Sequence, residues 1–106
     1  MATLKLTLSK KPFDVMKTGE KNVEYRKMSQ WMKSRLYNEN KERTYAFVQF
    51  TNGYGKDKPC FTTEYKGFFV STVDVKFSNG LRVVSDEPLY CIQLGEIVEL
   101  ESKKIK

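Results

Sequence analysis

The pair Asn79-Gly80 stands between two runs of β-formers, Thr62 to Ser78 and Leu81 to Val84. Both residues tolerate the positive φ that a two-residue hairpin turn demands, so these runs are predicted to fold back on each other as antiparallel strands. Tyr65, Phe69, Val73, Val75 and Phe77 populate the first run, and Gly67 within it marks a bulge or a close backbone approach. A hairpin this long already occupies much of a chain of 106 residues. That length suits one compact domain with one modest core, and a single domain over residues 1–106 is expected, with 101–106 as a charged tail.

The rest of the chain adds shorter elements. Residues 3–8 alternate, with Leu4, Leu6 and Leu8 on one side, the period of a half-buried strand. Ser9 is placed to cap a helix over residues 10–18, in which Phe13 and Met16 share a face and Gly19 supplies the stop. In a strand from Asn22 to Met28, Glu24 and Arg26 project to the same face. Ser29 caps a second helix, with Met28, Met32 and Leu36 in line and Trp31 and Arg35 on the adjacent stripe. Asn38 to Arg43 reads as a loop, Tyr45 to Phe50 as a buried strand, and Asn52-Gly53-Tyr54-Gly55 as a turn. Tyr90 to Leu94 and Ile97 to Leu100 make two further strands around Gly95. The fold class is therefore mainly β within α+β: a small β-barrel with two short helices over its ends.

Composition removes several kinds of chemistry. The chain has no histidine, which excludes Ser-His and Cys-His nucleophile activation and histidine metal sites. Carboxylates do not cluster along the sequence, so neither a metal nor another cofactor is expected. Cys60 and Cys91 fall in apolar or β-like segments and are expected as buried, unpaired thiols. No run approaches the length of a membrane span and the N-terminus lacks a signal-like apolar stretch, so a cytoplasmic protein without membrane contact is expected.

Charge points to a partner class. The net charge is +6, and residues 1–43 hold eleven Lys or Arg against five Asp or Glu, whereas the remainder is balanced. A basic sector of this kind attracts phosphate-bearing partners, and it is also what a lysine-rich face made for solubility looks like. Lys10, Lys11, Lys33 and Arg35 belong to that electrostatic surround. Within it, Lys21 and Arg26 bracket Glu24: Arg26 can clamp an anion bidentately, Lys21 is a point charge, and Glu24 can accept a proton or a base amino group. The same three residues also suit a structural ion pair.

The stretch Thr18-Gly19-Glu20-Lys21-Asn22-Val23-Glu24-Tyr25-Arg26-Lys27 resembles the signature of the ASCH family, in which a helix ends in Gly and Lys-x-x-Glu-x-Arg follows on the next strand. Phe50 to Lys56 is similar to the central turn of small ASCH-like proteins found in phages and bacteria, and Ile92 to Ile97 to their closing strands. The resemblance implies a PUA-like barrel with a basic cleft between helix and barrel, and a partner that is RNA or a nucleotide. It places Lys21, Glu24 and Arg26 on the cleft floor and Asn52, Tyr54 and Lys56 at its rim, where Tyr54 would stack a base and Lys56 reach a phosphate.

Some ASCH-like members remove an acetyl group from a modified cytidine with a lysine and a threonine of this motif. Lys21 matches that lysine, but Glu24 occupies the threonine position and the glutamate that those members use elsewhere has no counterpart placed in this chain, which argues against Thr-based amide hydrolysis. Two further functions stay open: a metal-independent hydrolase of a modified nucleoside or RNA phosphodiester, using Lys21 and Glu24 for proton transfer, and a protein-interaction module. Trp31 and Tyr25 offer stacking surfaces as well, but aromatics beside apolar helix and strand positions usually bury, and core packing is expected for both.

Overall fold

The computed structural model describes residues 2–55 and 57–101. Lys56 and residues 102–106 of the predicted tail lie outside the described residues. The elements are β1 (Thr3–Leu8), α1 (Lys10–Lys17), β2 (Val23–Arg26), α2 (Gln30–Leu36), β3 (Tyr37–Asn38), β4 (Lys41–Glu42), β5 (Phe47–Asn52), β6 (Cys60–Lys76) and β7 (Arg82–Glu101). No helix among the described residues is long and apolar enough to cross a membrane.

Five strands form one mixed sheet in the order β1-β5-β6-β7-β2, while β3 and β4 make a separate two-stranded ladder. β1 runs parallel to β5 with Leu8 opposite Asn52, and the other pairings in the large sheet are antiparallel. The predicted hairpin is its backbone: β6 and β7 pair across Asn79-Gly80, with Gly80 at φ 88°. Gly67, at φ 94°, sits where the register slips between Tyr65↔Leu94 and Phe68↔Ile92, the bulge anticipated from its position.

Three differences from the expected elements have local causes. The strands predicted around Leu81, Tyr90 and Ile97 are one continuous β7, because pairing with β6 carries the backbone through Gly95. Pro88 is tolerated inside it because β2 pairs only with Tyr90–Gln93, so the Pro88 stretch has a free edge. The predicted loop after α2 contains the β3–β4 ladder, its turn formed by Glu39 and Asn40, both with positive φ (51° and 68°).

The sheet is not the closed barrel that the sequence suggests. Among the described residues no backbone ladder joins the edge strands β1 and β2. The contact between them is made by a side chain: Arg26 Nη2 donates to the Thr7 carbonyl at 2.7 Å. β2 has only four residues, and the inward side chains of Glu24 and Arg26 stand where a closing strand pair would lie.

The core lies between the inner face of the sheet and the two helices. β1 contributes Leu4, Leu6 and Leu8, α1 contributes Phe13 and Met16, and α2 contributes Met32 and Leu36. Phe61 of β6 meets the Phe13 ring edge-on at 5.0 Å and the Phe50 ring at 5.4 Å, so one aromatic cluster ties α1 to two strands. Ser29 caps α2 as expected, its hydroxyl accepting from the Met32 amide at 3.1 Å. Ser9 occupies the cap position of α1, but its hydroxyl makes no cap bond. Cys60 and Cys91 are buried, and no disulfide joins them.

The far end of the β6–β7 hairpin is tied to the segment around α1. Asn79 Nδ2 donates to the Lys11 carbonyl at 3.0 Å, the Ser78 amide donates to Glu20 Oε2 at 2.8 Å, and the Ser78 hydroxyl donates to the other Glu20 oxygen. These bonds, the hydroxyl's first and the amide's second, hold the Glu20 carboxyl below its ordinary pKa. A carboxyl whose folded value lies below its unfolded one stabilises the tie above the unfolded value, and that contribution fades as pH falls through the folded value. Hydrogen exchange at the Ser78 amide, corrected for intrinsic rates, is therefore expected to lose protection on the acid side of the ordinary carboxylate range. In Glu20→Gln that acid step should vanish.

Candidate functional site

The segment between α1 and β2 brings charge into the interior. Thr18 caps α1, and Gly19 at φ 89° turns the chain so that Lys21 lines a cavity together with Met16 of the helix. Lys21 is 2% exposed and Glu24 is 4% exposed, which is rare for either residue type without partners. Each has them. Lys21 Nζ donates to Glu24 Oε1 at 2.8 Å and to the Val23 carbonyl at 2.7 Å, and it lies 5.3 Å from the centre of the Tyr25 ring. Arg26 Nε donates to Glu24 Oε2 at 2.7 Å. Two cations thus share one carboxylate, and both carboxylate oxygens are engaged.

The period-2 argument placed Glu24 and Arg26 on one face, and the structure puts them there, with Glu24 opposite Ile92 and Arg26 opposite Tyr90. Lys21 reaches the pair from outside the strand. Tyr25 is only half-buried on the other face, and Trp31 is 50% exposed, against the core packing expected for both. In α2 the buried positions are Met32 and Leu36, one and five residues further along, which turns the indole out of the core.

A cavity of about 570 Å³ opens beside Lys21. It lies between the end of α1 and the region where β6 and β7 slip in register, and its lining includes Met16, Asn22, Thr63, Glu64, Lys66 and Leu94. Of the site residues predicted from sequence, Lys21 lines it. Glu24 and Arg26 stand behind Lys21 and orient it. Asn52 and Tyr54 do not line it: the turn they belong to adjoins the Thr7 end of the triad, through the Gly53 amide donating to the Leu8 carbonyl, and Tyr54 is 84% exposed. Lys56 lies outside the described residues.

Thr63 was not legible from the sequence as a site residue. It is 2% exposed, it lines the cavity, and among the described residues its Oγ1 is a buried side-chain oxygen with no hydrogen-bond partner. A buried hydroxyl left unpaired costs free energy, so its presence calls for an explanation. A threonine in a run of β-formers carries no signal of its own; the register shifts on either side of Thr63 are what aim it here.

The charge of the lining is balanced. Lys21 and Lys66 face Glu64 and Glu96, and Glu64 Oε1 also accepts from the Glu96 amide at 3.0 Å. Gly95 is required beside them, because a Cβ there would collide with the Glu64 carboxylate. With Met16, Leu94 and Ile97 as apolar walls, the cavity suits a flat polar group with both donors and acceptors better than a bare phosphate. Cys91 is not part of it, and burial pushes its thiol pKa up, away from the reactive thiolate. No group of three His, Cys, Asp or Glu among the described residues gathers to hold a metal ion. No protein-family model, curated protein or solved structure matches the chain.

Proposed function

We propose that the protein is an RNA- or nucleotide-binding domain of the ASCH, PUA-like kind, and that the cavity beside Lys21 receives a nucleobase. The observation that carries this reading is the pairing, on one cavity lining, of a buried ammonium and a buried hydroxyl without a protein partner. Glu24 and the Val23 carbonyl take two of the three Lys21 N–H donors, leaving one for a ligand carbonyl. Thr63 Oγ1 can donate to or accept from the same ligand. The order of the Lys21-x-x-Glu24-x-Arg26 motif, the Asn52 turn and the closing strand supports the family reading, and the cationic first two fifths of the chain supports a phosphate-bearing partner.

The test is equilibrium binding of nucleosides and of a short labelled single-stranded RNA to wild type and Thr63→Val. Valine keeps the shape and removes the unpaired oxygen. Thr63→Val is expected to fold with stability unchanged or raised by up to about 1 kcal/mol, because the hydroxyl has no partner to lose. Binding of the base should weaken by about tenfold, the worth of one hydrogen bond in a site that excludes water. Equal affinity in the two proteins would remove the cavity reading.

A second reading has one observation in its favour: a hydroxyl and an ammonium on one cavity are the residue types of a Thr-Lys hydrolytic pair. Glu24, whose oxygens are both taken, then positions Lys21 and does not itself transfer the proton. Product formed from a panel of modified nucleosides by wild type, and not by Thr63→Val, would make the protein a hydrolase.

A further inference from the structure

Beyond the cavity, the outward face of α2 presents an unusual combination. Trp31 is the sole tryptophan of the chain, yet half of its surface is left in water. The Arg35 guanidinium lies over its ring, 4.7 Å from the centre, one turn along the helix. Met28, just before the cap, is 51% exposed. Lys33 on the helix, Lys27 before it and Lys41 and Arg43 after it are all exposed as well. Arg43 is drawn toward the helix by its Nε, which donates to the Ser34 and Tyr37 carbonyls at 3.2 Å each. Residues 27–43 hold five cations against two carboxylates, Glu39 and Glu42.

An indole exposed beside a stacked guanidinium, on a helix whose other exposed residues and flanks are rich in cations, is complementary to a chain of flat bases joined by phosphates. We infer that the exposed side of α2 is a stacking platform for single-stranded nucleic acid, with one base on Trp31, the adjacent phosphate on Arg35 and further phosphates on Lys33 and Arg43 around the helix. The inference deepens the nucleic-acid reading above and rests on it for the partner class, but it concerns different residues. β2 separates the two places: the cavity adjoins its Val23 end, and α2 starts a few residues past its Arg26 end.

Because Trp31 is the single indole, its fluorescence reports on this platform alone. The experiment titrates the full chain with a ten-nucleotide single-stranded RNA, the corresponding DNA, an abasic phosphodiester of the same length and free nucleosides, over a salt series. RNA is expected to quench Trp31 emission in a saturable, salt-sensitive way, and the abasic strand to leave it unquenched. DNA should quench similarly, since stacking does not engage the 2′-hydroxyl; a quench confined to RNA would still support the platform and locate an added hydroxyl contact. Trp31→Ala should weaken oligonucleotide binding on the order of tenfold, Trp31→Phe should retain most of it, and Lys33→Gln should flatten the salt dependence. All three substitutions are at exposed positions, and circular dichroism checks that the variants fold.

Absence of quenching by RNA, or equal oligonucleotide affinity for wild type and Trp31→Ala, overturns the platform. Quenching by the abasic strand as strong as by RNA overturns it too. Nucleoside binding lost in Thr63→Val, together with equal oligonucleotide affinity for wild type and Trp31→Ala, would leave the cavity reading standing while the platform fails; equal nucleoside affinity for wild type and Thr63→Val, together with oligonucleotide binding weakened in Trp31→Ala, would do the opposite.

Discussion

Glu24→Gln is expected to lower the unfolding free energy by about 3–5 kcal/mol, the cost of stranding a buried charge. The carboxylate is 4% exposed and is the shared acceptor of Lys21 and Arg26, at 2.8 Å and 2.7 Å. Glutamine keeps the volume but offers one acceptor oxygen, and turns an amide N–H₂ toward the second cation. Lys21, 2% exposed, then stands in the interior without its counter-charge. Out of water the attraction in such a triad offsets the desolvation of its ions only when every member is present. Replacing all three together, as Lys21→Met with Glu24→Leu and Arg26→Met, is accordingly expected to recover most of the loss. Chemical denaturation of the single and triple variants checks both parts. A loss below about 1 kcal/mol for Glu24→Gln would mean that water reaches the triad, as it does a surface ion pair.

The second large effect belongs to the aromatic cluster. Phe61 of β6 is fully buried and touches Phe13 of α1 and Phe50 of β5, so its ring joins its own strand to a helix and a second strand. Phe61→Ala should destabilise by about 3–5 kcal/mol, the lost transfer free energy together with the cavity left behind. Phe61→Leu, which refills most of the space, should cost about 1–1.5 kcal/mol. A domain of this size has only about 5–15 kcal/mol in hand, so Phe61→Ala is expected to unfold at markedly lower denaturant with an unchanged slope. A cost for alanine no greater than that for leucine would show that the cluster repacks around the gap.

These two variants separate the two ways in which the interior is built. Phe61 packs where apolar area alone decides, whereas Glu24 sits where a closing strand pair is missing and side chains bridge the edge strands. The triad is thus a structural bridge: it spans the gap between β1 and β2 and holds Lys21 against the cavity. Of the two readings set side by side from the sequence, the ion pair describes all three residues, and only Lys21 of them lines the cavity on which the proposed binding rests.

Local pattern was enough for much of this. Alternation in residues 3–8 yields β1 with its three buried leucines, and Asn79-Gly80 yields the hairpin, because each depends on residues adjacent in the chain. The same period places Glu24 and Arg26 on one face, and a lysine three residues before a glutamate is near enough to meet it. What depended on distant segments was out of reach. Trp31 follows the helix period that fits either a buried or an exposed stripe; only the packing of Met32 and Leu36 turned it outward. Thr63 looks like any strand threonine until bulges on β6 set its hydroxyl, unpaired, against a cavity walled by α1 and β7. Whether the sheet closes was decided by the same long-range terms, since closure depends on how far the two edge strands end from each other after five strands have twisted and bulged. Strand and turn identity, charge and the triad itself were therefore set along the chain. The cavity, its orphan hydroxyl, the exposed indole and the open edge arose only when segments far apart in sequence were packed together.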